Sequence, residues 1–220
     1  MNSKKVGVNA PQNKEIIPFE KDDIHLNISG SLCAGREPED SFVKYSIEIA
    51  QIKDNGAESV AGRMSVRTVE IDLYRHTVFE VFDSVDSDTM EYVDLFRDNG
   101  EYKKSVLNLF DETILSPPHK LLLIDKIEIL PKARGRNLAA IAVGLVEKHL
   151  AAGAMLAVVK PFPLQHGSAH RVYKGEWSRR MRYDLFEGDV ESGTKKLQWL
   201  YAKMGYRPLR KTPFMLHVLY

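Results

Sequence analysis

The sequence predicts an α/β chain of the α+β kind, with a mixed, strongly twisted central sheet flanked by helices. Three observations carry this reading. Residues 42–52, "FVKYSIEIAQI", alternate apolar and polar side chains, and Asn55-Gly56 returns the chain into a second alternating run. Residues 119–130 lead into an alanine-rich helical pattern and then into another apolar run at 155–160, an order that calls for parallel strands joined by a crossover. A helical stretch at 194–206 and the closing "FMLHVLY" add a last helix and a last strand.

The elements come in this order along the chain. Residues 1–40 mix Lys, Asn, Pro, Glu and Asp around short apolar islands and read as an irregular leader, leaving 41–220 as one domain. The hairpin places Val43, Tyr45, Ile47 and Ile49 on one side of its first strand. Its second strand shifts apolar phase from Met64 and Val66 to Val69, Ile71 and Leu73, which predicts a bulge near Arg67. Residues 83–101 hold seven acids and one base, and two helices broken at Asn99-Gly100 are expected through residue 115. After Pro117-Pro118 comes the buried strand, the crossover helix, a further buried strand and a long basic connection at 161–193, inserted before the last helix. Gly205 stops that helix.

Composition limits the function classes. The one cysteine, Cys33, forms no internal disulfide and reads as a structural thiol. With no secretory signal pattern, a cytoplasmic location is the expectation. The longest uncharged apolar run, 138–146, falls far short of the ~20 residues a membrane helix needs, so no membrane partner is expected. His166 and His170 have no third ligand nearby, and no metal is expected. Net charge is +1, yet residues 1–110 carry 13 bases against 20 acids and residues 111–220 carry 18 against 10. The second half is thus suited to an anion.

The sharpest signal is "ILPKARGRNLAA" at 129–140, where a strand ends and a helix begins. A helix start exposes about four unpaired N–H groups and a partial positive charge, which favours an anion. Arg134 and Arg136 add full charges, and Gly135 permits backbone approach. The stretch reads as a phosphate cradle. It lacks both the Gly-Lys-Ser/Thr of nucleoside triphosphate loops and the three glycines of the dinucleotide fingerprint.

This loop resembles the coenzyme A loop of the GNAT-type N-acetyltransferases. Their pattern, apolar-x-apolar-x-Pro-x-x-Arg-Gly-x-Gly-Leu/Ile-Gly/Ala, is matched by Ile127, Ile129, Pro131, Arg134, Gly135, Leu138 and Ala139, with Asn137 in place of the second glycine. Asn is the non-glycine residue that best tolerates left-handed backbone. Downstream, "LYAKMGYRPL" is similar to the superfamily's aromatic-Tyr-x-Lys-x-Gly-Phe/Tyr pattern through Tyr201, Lys203, Gly205 and Tyr206, with Leu200 replacing the aromatic and Thr194 standing where many members carry asparagine. The resemblance covers residues 119–220; upstream, the hairpin precedes the helices, the reverse of the usual order.

The resemblance implies a divergent GNAT-like domain that moves an acetyl or other acyl group from acetyl-CoA to a primary amine by direct attack in a ternary complex. It implies pantetheine along Ile127, Ile129 and Leu130, and pyrophosphate on the amides of Arg134, Gly135, Arg136, Asn137, Leu138 and Ala139. Tyr201 would protonate the leaving thiolate. For the base, the resemblance points to Asp125 or Glu128 on the central strand. Their opposite parity lets both face one site only through a bulge; Asp125 is favoured because it shares parity with Ile127 and Ile129. A water relay needs neither, and His119 is a remoter candidate.

For the acceptor, the acids at 83–101 suit a cationic amine, either a small molecule or a basic peptide. The interleaved bases and aromatics of 160–183, including Lys160, Arg171, Tyr173, Lys174, Trp177, Arg179, Arg180 and Arg182, suit a flap over the phosphates of coenzyme A. The same residues suit a nucleic acid, such as a charged transfer RNA. A CoA-binding regulatory domain without turnover is the other alternative, and a homodimer through the C-terminal strand is compatible with the sequence.

Overall fold

A computed structural model describes residues 24–31, 35–53, 55–111, 114, 117–167, 175–186 and 188–219. Seven strands form one open, mixed sheet: β1 (Ile24–Ser31), β2 (Phe42–Ile52), β3 (Glu58–Glu70), β4 (Lys120–Ile129), β5 (Leu156–Val159), β6 (Arg207–Pro208) and β7 (Met215–Val218). Their order is β1-β2-β3-β4-β5-β7-β6, and every neighbouring pair is antiparallel except β4 with β5. That one parallel pair needs the crossover predicted for it, supplied by α4 (Leu138–Leu150). The remaining helices are α1 (Val78–Asp83), α2 (Ser87–Met90), α3 (Lys104–Leu107), α5 (Glu176–Met181) and α6 (Val190–Lys203).

Each face of the sheet carries its own core. Ile47, Ile49, Met64, Val66, Leu122 and Ile124 pack on one side with Val143 and Val146 of α4 and Tyr201 of α6. α4 docks through Leu138, Ala142, Val143 and Val146, a spacing that forms one apolar stripe. On the other side, Phe42, Val69, Ile71, Leu121 and Leu123 pack with Phe82, Leu95, Phe96 and Val106.

Three expectations need correction. First, 24–40 is not an irregular leader throughout: Ile24–Ser31 is an edge strand paired to β2. Second, the bulge expected near Arg67 lies not in the pairing of β3 with β2, which is unbroken from Phe42↔Val69 to Ile49↔Gly62, but in its pairing with β4, between Ser65 and Val66, with the extra residue on β4. The apolar phase shifts because β3 is buried on both faces, Met64 and Val66 serving one core and Val69 and Ile71 the other. The extra residues are Ala61 on β3 and Asp125 on β4, where Ser65 pairs Lys126 while Val66 pairs Ile124. Third, the two helices expected on either side of Asn99-Gly100 are short pieces, with only Lys104–Leu107 helical among the described residues of 101–115. α1 ends at Asp83, α2 has four residues, and a 3-10 turn spans Glu91–Leu95. Asn55-Gly56 does form the hairpin turn, with Gly56 at φ 75° and the Ala57 N–H donating to Asn55 Oδ1 at 3.1 Å.

The β4 bulge decides which side chains face which layer. With Asp125 unpaired, Leu122, Ile124, Ile127 and Ile129 all point to the α4 side. Asp125 and Glu128 consequently share the opposite side.

Candidate active site

β4 and β5 pair only from Leu121↔Leu156 to Ile124↔Val159. β5 then runs into Lys160-Pro161-Phe162-Pro163, whose prolines bring no N–H to a ladder. The strands therefore part, leaving the edge of β4 without a strand partner from Asp125 onward. A cleft of about 400 Å³ opens there. Ile127 and Ile129 form one wall, Pro161 to Gln165 a second, and Gly193, Leu197, Leu200, Tyr201 and Met204 of α6 a third. Met181, Tyr183, Leu185 and Phe186 roof it. Gly193 admits close packing, since a Cβ there would lie 2.9 Å from Pro163 Cβ.

At one end the cleft meets the start of α4, with Ala139 in its lining. Gly135 and Asn137 both adopt left-handed backbone, at φ 76° and 62°. Asn137 occupies the N-cap without a side-chain cap, and the first helical bond runs from the Ile141 N–H to Asn137 O at 3.2 Å. The amides of Leu138, Ala139 and Ala140 thus form the uncapped positive end of a 13-residue helix.

Arg134 does not stand beside those amides. Its Nε donates to Ile129 O at 2.8 Å, its Nη2 donates to Met181 O, and its guanidinium lies 4.1 Å from the Phe186 ring centroid. Burial lowers its pKa. Arg134 fastens the roof to the end of β4. Of the residues assigned to the donor, Ile127, Ile129, Arg134 and Ala139 line the cleft, whereas Leu130 and Leu138 are buried and Gly135, Arg136 and Asn137 lie along the turn.

The two carboxylates differ from expectation. Asp125 falls at the bulge and so leaves the parity of Ile127 and Ile129, yet it lines the cleft with them, whereas Glu128 does not. It receives Arg67 in a bidentate ion pair at 2.6 and 2.8 Å, and Arg67 also donates to Thr89 Oγ1 at 2.8 Å. Thr89 in turn donates to Asp86 at 2.6 Å. Burial raises the Asp125 pKa against the pull of Arg67, which engages both of its oxygens at the wall of the cleft. Glu128 is 5% exposed. It accepts from the Tyr183 phenol, and the Lys126 ammonium lies 2.9 Å from its Oε2. Burial, then the bond to Glu128, raises the Tyr183 pKa. His119 is structural, bonded to Gly100 O and stacked on Tyr102 at 5.2 Å.

Tyr201 lines the cleft from α6. Its pKa is pushed up to about 12 by burial alone, and its hydroxyl has no hydrogen-bond partner among the described residues. Tyr183 and Lys126 are the site residues that sequence reasoning missed. Lys126 is legible in the sequence as a neighbour of Asp125, but Tyr183 lies in a segment that stands out only for its basic charge.

Other expectations fall outside this cleft. Cys33, His170, Arg171, Tyr173 and Lys174 lie outside the described residues. Among the described residues there is no group of three metal-ligating side chains, and no helix is long and apolar enough to cross a membrane. The acids expected to attract a cationic acceptor are largely engaged: Asp86 caps α2, Glu91 pairs with Lys160 at 2.7 Å and Asp94 with Lys103 at 3.5 Å. No family model, curated protein or solved structure matches the chain.

Proposed function

We propose that the chain is an N-acyltransferase of the GNAT type, transferring an acyl group from acetyl-CoA or a related coenzyme A thioester to an amine. One observation supports it most: the parting of β4 from β5 creates a cleft that leads from the buried Tyr201 hydroxyl to the uncapped start of α4. An extended pantetheine needs a free strand edge, which β4 offers at Ile127 beyond its pairing with β5, the Ile129 carbonyl being taken by Arg134, and a pyrophosphate needs the amides and dipole of a helix start. The sheet order, with its single parallel pair beside a bulged β4, supports the same reading.

Glu128 takes the role of base and Tyr201 that of acid. The amine nitrogen attacks the thioester carbonyl carbon, the C–S bond breaks, and the amide C–N bond forms. Of the two protons lost from the ammonium, one passes to Glu128 and on to solvent. The other is balanced at sulfur, where the Tyr201 phenol protonates the departing thiolate and is itself reprotonated. A phenol with a pKa near 12 is protonated at every working pH, which suits a donor. Asp125 has a positioning part, holding the bulge through Arg67.

Asn137 in the left-handed region keeps the turn that glycine would make, which favours a working donor site over a degenerate one. The nucleic-acid reading is weaker, because Trp177 carries Arg63 at 4.0 Å and Arg180 at 5.2 Å and is not free to stack a base. Release of free thiol from acetyl-CoA, followed colorimetrically across a panel of primary amines, tests the proposal. Amine-dependent release that drops in Tyr201→Phe supports it, and no release with any amine overturns it.

A further inference from the structure

The second face of the sheet is not covered along its whole length. Beyond the Phe42–Phe82 core it carries a recess of about 710 Å³, floored by β1 to β4. Strand register arranges its side chains in two transverse rows. Asn27, Glu48, Arg63 and Glu128 are successive partners across four strands, and so are Ser29, Ser46, Ser65 and Lys126. Alternation puts every one of these side chains on the same face.

Two features set this strip apart from an ordinary solvated face. Glu128 is buried in its floor at 5% exposure and is reached from the cleft by Tyr183, while Lys126 lines both the recess and the cleft. The recess and the cleft thus lie on either side of Lys126 and Glu128. Above Arg63 sits the Trp177 ring, whose indole N–H is shielded from solvent and has no acceptor among the described residues. A buried donor without a partner is costly, so an acceptor brought to Arg63 beneath that ring would be favoured.

The charges select the ligand. Glu48 and Glu128 balance Arg63 and Lys126, an arrangement that suits neither a polycation nor a polyanion. Glu128 and Arg63 face each other on adjacent strands, about 4.8 Å apart in the pairing direction. Side chains of directly opposed residues start about 4.5–5.5 Å apart, so this carboxylate and guanidinium can converge on the two ends of one small zwitterion. An ammonium already occupies the acidic half, since Lys126 Nζ lies 2.9 Å from Glu128.

We propose that this recess is the acceptor site and that the acceptor is a free α-amino acid, its ammonium on Glu128 in place of Lys126 and its carboxylate on Arg63 beside the Trp177 N–H. The inference rests on the acyl-transfer reading for its chemistry: the amino acid's nitrogen forms the amide, coenzyme A leaves as the thiol, and one proton is released to solvent through Glu128. Binding itself does not depend on that reading.

Two measurements test it. Saturation-transfer NMR of an equimolar mixture of the standard amino acids with the full chain, without donor, should show contact for at least one of them, lost in Arg63→Gln and reduced in Trp177→Phe. Thiol release from acetyl-CoA should then show that amino acid outperforming its decarboxylated amine by at least tenfold in kcat/KM. Arg63→Gln should raise KM for the amino acid about tenfold or more and so erase its advantage over the decarboxylated amine. No amino acid contact in the wild type, or equal use of amine and amino acid, overturns the proposal. Amino acid contact that depends on Arg63, with no thiol release, supports the recess and overturns the acyl-transfer reading instead.

Discussion

Arg67 grips Asp125 through both oxygens, at 2.6 and 2.8 Å, at the one residue of β4 that has no partner on β3. The bulge and the ion pair are one device. The extra residue turns the next strand segment over, and the guanidinium satisfies the carboxylate that this leaves inside.

Asp125→Ala should therefore act on stability. Its side chain is 22% exposed and that of Arg67 11%, so the loss should approach the few kcal/mol seen when one partner of a buried pair is removed. A decrease of about 2–4 kcal/mol in urea unfolding is expected. Thiol release per folded molecule should change far less than in Glu128→Gln. If Asp125→Ala abolished turnover at unchanged stability, the assignment of the base to Glu128 would be wrong.

Tyr201→Phe removes the proposed acid and leaves the packing. A fall in kcat of about 10- to 100-fold is expected, at the low end for acid catalysis because a thiolate leaves readily. KM for acetyl-CoA should stay within twofold. Because the phenol titrates near pH 12, the wild-type rate should show no alkaline decline from this group below about pH 10.

Arg134 joins the roof to the β4 end through Ile129 and Met181. Arg134→Ala should raise amide hydrogen exchange across 176–186 and leave β4 and α4 protected. Unchanged exchange in that segment would remove the fastening role and restore Arg134 to the anion site.

Glu80 closes a capping box with Thr77, which donates to it from both N–H and hydroxyl, and its pKa is lowered, the Thr77 backbone bond being the largest cause. A depressed carboxylate contributes stability above its unfolded pKa of about 4.5 and loses it as pH falls through the folded value. Glu80→Gln should thus flatten part of the stability loss between neutral pH and the acid limb, with its main effect below pH 4.5. An unchanged acid profile would exclude the contribution.

Much of the fold was legible because it is local. Asn55-Gly56, the apolar run at 121–124 and the α4 stripe each declare themselves within a dozen residues, and the crossover follows from their order. β1 was hidden because its exposed face is polar and its apolar islands, Ile24 and Leu26, are short. The bulge carries no residue code, and a phase shift on β3 pointed to the wrong strand. For the site, the loop at 134–139 and Tyr201 were visible as spacings, but the Tyr183–Glu128 bond spans 55 positions and the rows across β1 to β4 exist only through register. No one-dimensional period reports them.

The most direct test is calorimetric titration of acetyl-CoA into the wild-type chain and into Ala139→Glu, which sets a carboxylate among the open amides of α4. Micromolar binding by the wild type is expected, with a loss of at least tenfold in the variant and the fold intact by circular dichroism. No binding by the wild type, or equal binding by both, would contradict the donor site on which the proposed function stands.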